Sequence, residues 1–165
     1  MERIVRLVIV AAALALAGSA CTVSAAPIVP GMTISDFFAK LEKSAADLAE
    51  GGMEIHAVRC SDDGAMCAAQ YGAGNTVIGK APSKTAGMET VTVTQDIPGE
   101  TEDFWLTSAL VVELIDPDFL TVPERSQLIL GAMRGPAGSG FAGNVGRYTF
   151  DRSSNGLSRM VGTAK

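Results

Sequence analysis

This chain has little of what most enzymes are built from. Its 165 residues include one histidine, His56, and one tryptophan, and aromatic residues make up only 5%. A Ser-His-Asp hydrolase would have to be centred on His56, yet no Gly-x-Ser-x-Gly elbow presents a nucleophile. Beyond the N-terminus there is no apolar stretch of membrane-spanning length. The net charge of −5 argues against a nucleic-acid partner, because an acidic surface repels phosphate.

The long apolar run that does occur is Leu7 to Ala17, preceded by Arg3 and Arg6. It is too short for a bilayer-spanning helix and reads as an export signal over residues 1–25, with Val23-Ser24-Ala25 as the cleavage site. A second reading takes Gly18-Ser19-Ala20-Cys21 as a lipobox, which makes 1–20 the signal and Cys21 a lipidated N-terminus. Either route leaves Cys60 and Cys67 as a pair, which suits an oxidising envelope compartment. Localisation is therefore expected to be periplasmic or secreted, or membrane-anchored through Cys21.

After the signal, residues 26–32 are small and proline-punctuated and read as a flexible leader. Residues 33–165 read as a single domain. Thr33-Ile-Ser-Asp36 is a capping-box pattern, followed by apolar residues at helical spacing from Ile34 to Leu48, with Gly51-Gly52 as the stop. Met53 to Cys60 and Ala65 to Tyr71 form a predicted hairpin turning at Asp63-Gly64. That register sets Cys60 opposite Cys67 and His56 opposite Tyr71. Two strands follow, Asn75 to Lys80 and Glu89 to Gln95. Glu102 to Ile115 is apolar nearly all round and reads as a buried helix. Thr121-Val-Pro-Glu124 starts another helix, which runs to about Met133. Gly135 to Gly143 reads as a glycine-rich loop, mobile beside a groove, before a last hairpin of Val145–Asp151 and Leu157–Thr163. The order α-β-β-β-β-α-α-β-β implies an α+β fold, an antiparallel sheet packed against about three helices. It loosely resembles the topology of secretion-chaperone-like domains, but no motif is shared, so no activity follows.

Two glycine motifs match nucleotide-binding patterns by spacing alone. Gly74 to Lys80 lacks the magnesium-binding hydroxyl, having Ala81 there, and Pro82 obstructs the helix a P-loop needs. Gly138-Ser-Gly140-Phe-Ala-Gly143 follows a helix and precedes a strand, the reverse of the dinucleotide context. His56 with Met53, Cys60, Met66 and Cys67 forms a soft ligand set suited to copper, but a disulfide would remove both thiolates. The paired carboxylates each have a turn or capping explanation: Asp62-Asp63, Glu100 with Glu102-Asp103, and Asp116 with Asp118. No catalytic, cofactor or metal residue is assigned, so the chain reads as a non-enzymatic binding or adaptor domain, with a membrane-tethered structural lipoprotein as an alternative.

Charge is unevenly distributed. Pro27 to Leu130 holds 6 basic and 16 acidic residues, whereas Gly131 to Lys165 holds 5 basic and 1 acidic. This marks Asp62, Asp63, Glu102 and Asp103 as a candidate surface for a cationic envelope enzyme, in an inhibitor or immunity-type role. Arg147, Arg152 and Arg159 would face an anionic envelope component. A two-residue turn at Asn155-Gly156 would set Arg152 opposite Arg159, an unfavourable pair, so a different register is expected.

Overall fold

The structure is a computed structural model describing residues 25–48, 55–72, 74–98 and 101–165. The export segment with Cys21 and the glycine stop at 51–52 lie outside the described residues. Three helices, α1 (Ile34–Leu48), α2 (Thr101–Ile115) and α3 (Val122–Arg134), accompany seven strands. The strands are β1 (Ile55–Cys60), β2 (Met66–Tyr71), β3 (Asn75–Lys80), β4 (Thr90–Gln95), β5 (Ser139–Ala142), β6 (Gly146–Arg152) and β7 (Ser158–Ala164). All pair antiparallel in one sheet, in the order β1-β2-β3-β4-β7-β6-β5. The α+β class expected from the sequence is the class observed. No helix among the described residues is long and apolar enough to cross a membrane.

Both capping boxes form. The Thr33 hydroxyl and N–H donate to Asp36 Oδ2 at 2.7 and 3.1 Å, and those bonds hold the Asp36 carboxyl below its usual range. Thr121 does the same to Glu124 Oε2, at 2.7 and 3.0 Å. On α2, Phe104, Thr107, Ser108, Val111, Val112 and Ile115 are fully or almost fully buried, one stripe at 3.6-residue spacing, while Trp105, Leu106, Leu110 and Leu114 around it stay half-buried. That stripe seats α2 on β3, β4 and β7, with α1 and α3 to either side.

Alternation decides the two faces of the sheet. The covered face carries two apolar rows, Ala69–Val77–Val93–Met160–Phe150 and Cys67–Gly79–Val91–Gly162–Tyr148–Phe141. Phe141 also stacks on Phe119, centroids 5.8 Å apart, which ties the α2–α3 connection to β5.

Four expectations change. The segment at 26–32 is docked rather than slack: Ile28 and Met32 are buried, and Met88 bonds both through its backbone, at 2.8 and 3.0 Å. The first hairpin turns through four residues, 62–65, and not two. Gly64 N–H bonds Ser61 O at 2.8 Å and Gly64 takes φ +65°, while Asp63 stays out of the left-handed region that a type I′ turn needs. The Cys60–Cys67 register survives because both loops are centred on the same point. It fails further on, where an irregularity between His56 and Arg59 shifts β1 by one residue. His56 therefore pairs with Gln70, and Ile55 takes the place opposite buried Tyr71. The bulge keeps an apolar residue on the covered face.

The fourth change is the glycine-rich run Gly135–Gly143, whose Ser139–Ala142 part is the edge strand β5. Gly140 pairs with Thr149, and a Cβ there would lie 2.1 Å from Tyr148 O. Only a residue without a side chain lets β5 close on β6. Gly140→Ala is expected to destabilise the fold by about 1–3 kcal/mol. In hydrogen exchange it should strip protection from β5 first and leave β2–β4 unchanged.

The disulfide forms as expected, with Cys60 and Cys67 as direct cross-strand partners. It closes the first hairpin, whose Asp63 accepts from Ser61 Oγ at 2.6 Å and from Ala65 N–H at 3.0 Å. Closing an eight-residue loop contributes about 2.5 kcal/mol on the chain-entropy estimate. Urea unfolding with and without reductant should show a loss of that order.

Candidate functional site: the open sheet face

No described helix covers the second face of the sheet, and its side chains follow directly from the register. One row runs Met66–Lys80–Thr90–Thr163–Arg147–Ala142. The middle row runs Arg59–Ala68–Ile78–Thr92–Val161–Thr149–Gly140, and a third runs Gln70–Thr76–Thr94–Arg159–Asp151. From Ala68 to Thr149 the middle row is half-buried and small or β-branched. With strands about 4.8 Å apart, seven strands make a face about 29 Å wide.

Charge follows the layers. The strands carry five basic residues, Arg59, Lys80, Arg147, Arg152 and Arg159, against one acid, Asp151. The helices carry seven acids, Asp36, Glu42, Asp47, Glu102, Asp103, Glu113 and Glu124. Their basic residues are Lys40, Lys43, Arg125 and Arg134. Four of the strand cations, Arg59, Lys80, Arg147 and Arg159, lie on the open face, and all four are exposed. Arg159 is engaged, its Nη2 3.0 Å from Asp151 Oδ2. The open face thus has a small, apolar-to-hydroxyl middle and a cationic surround.

The residues singled out in the sequence are distributed as follows. Asp62 and Asp63 sit in the β1–β2 loop. Glu102 and Asp103 open α2, where Asp103 lies against Gly72, just past the other end of β2. Six residues of strand, about 20 Å, separate the two acidic pairs, so they do not form one surface. The register puts Arg159 opposite Asp151 and Arg152 opposite Ser158, which removes the like-charge pair. Arg147 is on the open face, whereas Arg152 has the parity of the covered face and projects from the end of β6. His56 holds a register position opposite Gln70. Met66 is on the open face, away from Cys67, and both thiolates are spent in the disulfide. No metal-holding group of three His, Cys, Asp or Glu occurs among the described residues. Gly74 to Lys80 leads into and forms β3, a plain strand.

Sequence reasoning missed a polar row on the covered face. Tyr71, Asn75, Gln95, Ser158 and Arg152 are successive neighbours across β2, β3, β4, β7 and β6. Gln95 Oε1 accepts from Ser158 N–H at 3.1 Å. Tyr71 Oη, both amide atoms of Asn75 and Gln95 Nε2 are buried with no hydrogen-bond partner among the described residues. Strand parity would have revealed them, since Asn75 and Gln95 alternate in step with buried Val77, Val91 and Val93. Asp116, paired with Asp118 in the sequence reading, is instead buried and accepts from Val145 N–H at 3.1 Å, and missed altogether was buried Arg125, which pairs with Glu113 of α2.

No family model, curated protein or solved structure matches this chain.

The protein has two tyrosines, and both are buried. Burial pushes the Tyr71 phenol up to about 12. Tyr148 is pushed up further by burial and by Asp116, with Arg125 opposing. In the native protein, absorbance at 295 nm should show no phenolate step near the ordinary tyrosine pKa of 10.0. Protein unfolded in urea should show one. Folding stability should be intact below that value and fall as pH rises through the native pKa values, because the unfolded state loses its protons first.

Proposed function

We propose that this is an exported envelope protein that acts by binding, and that its open sheet face docks a protein partner whose rim is acidic. The observation that carries this reading is the segregation of charge by layer: an acidic helical side and a cationic sheet face in a chain of net −5. Protein interfaces combine a desolvated middle with a polar rim, and the middle row with its surrounding cations has that anatomy. Complementary charge steers association and makes it salt-sensitive. The export-type N-terminus and the Cys60–Cys67 disulfide support an oxidising location, free in the envelope or tethered through Cys21.

The opposite reading, an inhibitor that shows Asp62, Asp63, Glu102 and Asp103 to a cationic enzyme, would need a partner spanning the whole length of β2. The sheet-face reading needs no such reach. An enzyme reading has no catalytic constellation behind it, and no cofactor is proposed.

The test is capture from envelope extract by wild type and by a triple variant, Arg59→Glu, Lys80→Glu and Arg147→Glu. Wild type should retain a partner at low salt and release it at high salt, and the triple variant should retain none. A partner held equally by both proteins overturns the assignment of the face. Binding of wild type to vesicles of anionic phospholipid through the same three residues, with no protein retained, would make the face lipid-facing instead.

A further inference from the structure

We propose that the depression where β4 and β6 end and β7 begins is a binding site for a small organic carboxylate, with the Arg152 guanidinium and the Gln95 side-chain amide as its donors. Thr94, Asp151 and Arg159 of its lining also form the outer row of the open sheet face, so the depression adjoins that face at its edge. The depression has a volume of about 510 Å³ and is lined by Thr94, Gln95, Ala137, Asp151, Arg152, Leu157 and the serines and arginine around them.

Its donors come from the register. Gln95, Ser158 and Arg152 are neighbours on three successive strands with side chains of the same parity. Two strand spacings put Gln95 and Arg152 about 10 Å apart at the backbone. Ser158 stands between them with a side chain too small to fill that span. Gln95 is the most buried residue of the lining, at 3% exposure. Its Oε1 is fixed by the Ser158 N–H, so its NH2 is the end left over, and Nε2 has no acceptor among the described residues. A buried donor without an acceptor is unfavourable; Nε2 is closed off from solvent in the free protein, so the Gln95 amide turns toward the depression to meet a ligand oxygen there.

Charge selects the kind of acceptor. Arg159 is committed to Asp151, so those two cancel, while Arg152 is exposed and has no ion-pair partner among the described residues. One uncompensated positive charge therefore remains. That balance suits a carboxylate, which brings one negative charge and two acceptor oxygens to a guanidinium fork. A phosphate dianion would leave a second charge unmatched in a partly desolvated site. The space exceeds what a carboxylate group alone would fill, and Leu157 and Ala137 supply apolar wall, so the ligand carries a short apolar portion.

The experiment titrates the ¹⁵N-labelled full chain with butyrate, inorganic phosphate and chloride at constant ionic strength, following the Gln95 NH2 and Arg152 Nε–H signals. Butyrate should shift both saturably. Arg152→Gln should weaken butyrate binding about tenfold or more. Arg134→Gln, which removes a cation on α3 outside the depression, should not. Equal shifts with chloride, or none with butyrate, overturn the site. Saturation by phosphate but not butyrate overturns the carboxylate assignment. Because these signals come from the protein alone, a negative result leaves the partner-capture test untouched.

Discussion

The seating of α2 on the central strands governs the rest of this molecule. Phe104, Val111, Val112 and Ile115 are all but removed from water, as are Val77, Val91, Val93 and Met160 of the strands in the same core. Burying side chains of this size contributes roughly 1.5–3 kcal/mol each. Once α2 lies there, α1 and α3 have places only beside it. All three helices then fall on one side, and period-two alternation obliges the strands to put their remaining side chains on the other.

That layering explains why the charge looks polarised along the chain and yet is organised differently in space. The basic C-terminal segment contributes β6 and β7, and their outward positions are Arg147 and Arg159 beside hydroxyl and β-branched residues. Arg59 and Lys80, from the acidic part of the chain, join them through cross-strand register. The acids belong mainly to helix starts and loops, where Asp36, Asp63 and Glu124 accept hydrogen bonds from nearby hydroxyls and backbone N–H groups. Charge asymmetry by sequence position is therefore a partial projection of an asymmetry between layers.

Where a local interaction decides the outcome, the sequence is legible. Thr33 with Asp36 and Thr121 with Glu124 announce their helix starts because the bonds close within three residues. Cys60 and Cys67 announce their pairing because a short loop leaves few registers. Legibility ends where distant backbone decides. Gly140 reads as loop material, and only the approach of Tyr148 O shows why a strand needs it. The one-residue shift before Arg59 depends on Ile55 being preferred opposite Tyr71. The segment before α1 looks slack in composition, but Met88, sixty residues after Ile28, ties it down. The polar row was available to parity reasoning, since Asn75 and Gln95 sit in step with valines, but its lack of partners is a tertiary fact. The Arg152–Ser158 register, likewise, depends on the Asp151–Arg159 pair.

The docked segment also fixes where the N-terminal stretch meets the sheet. Ile28 bonds Met88 just before β4 begins, and the carboxylate depression lies where β4 ends, seven residues further on. Those residues extend for about 23 Å. The chain at Pro27 and Ile28 meets the fold at the Gly87–Met88 end of β4, the end opposite the Gln95–Arg152 depression. The strand is thus an outrigger of fixed length, and the sheet face lies along its side, broadside to both.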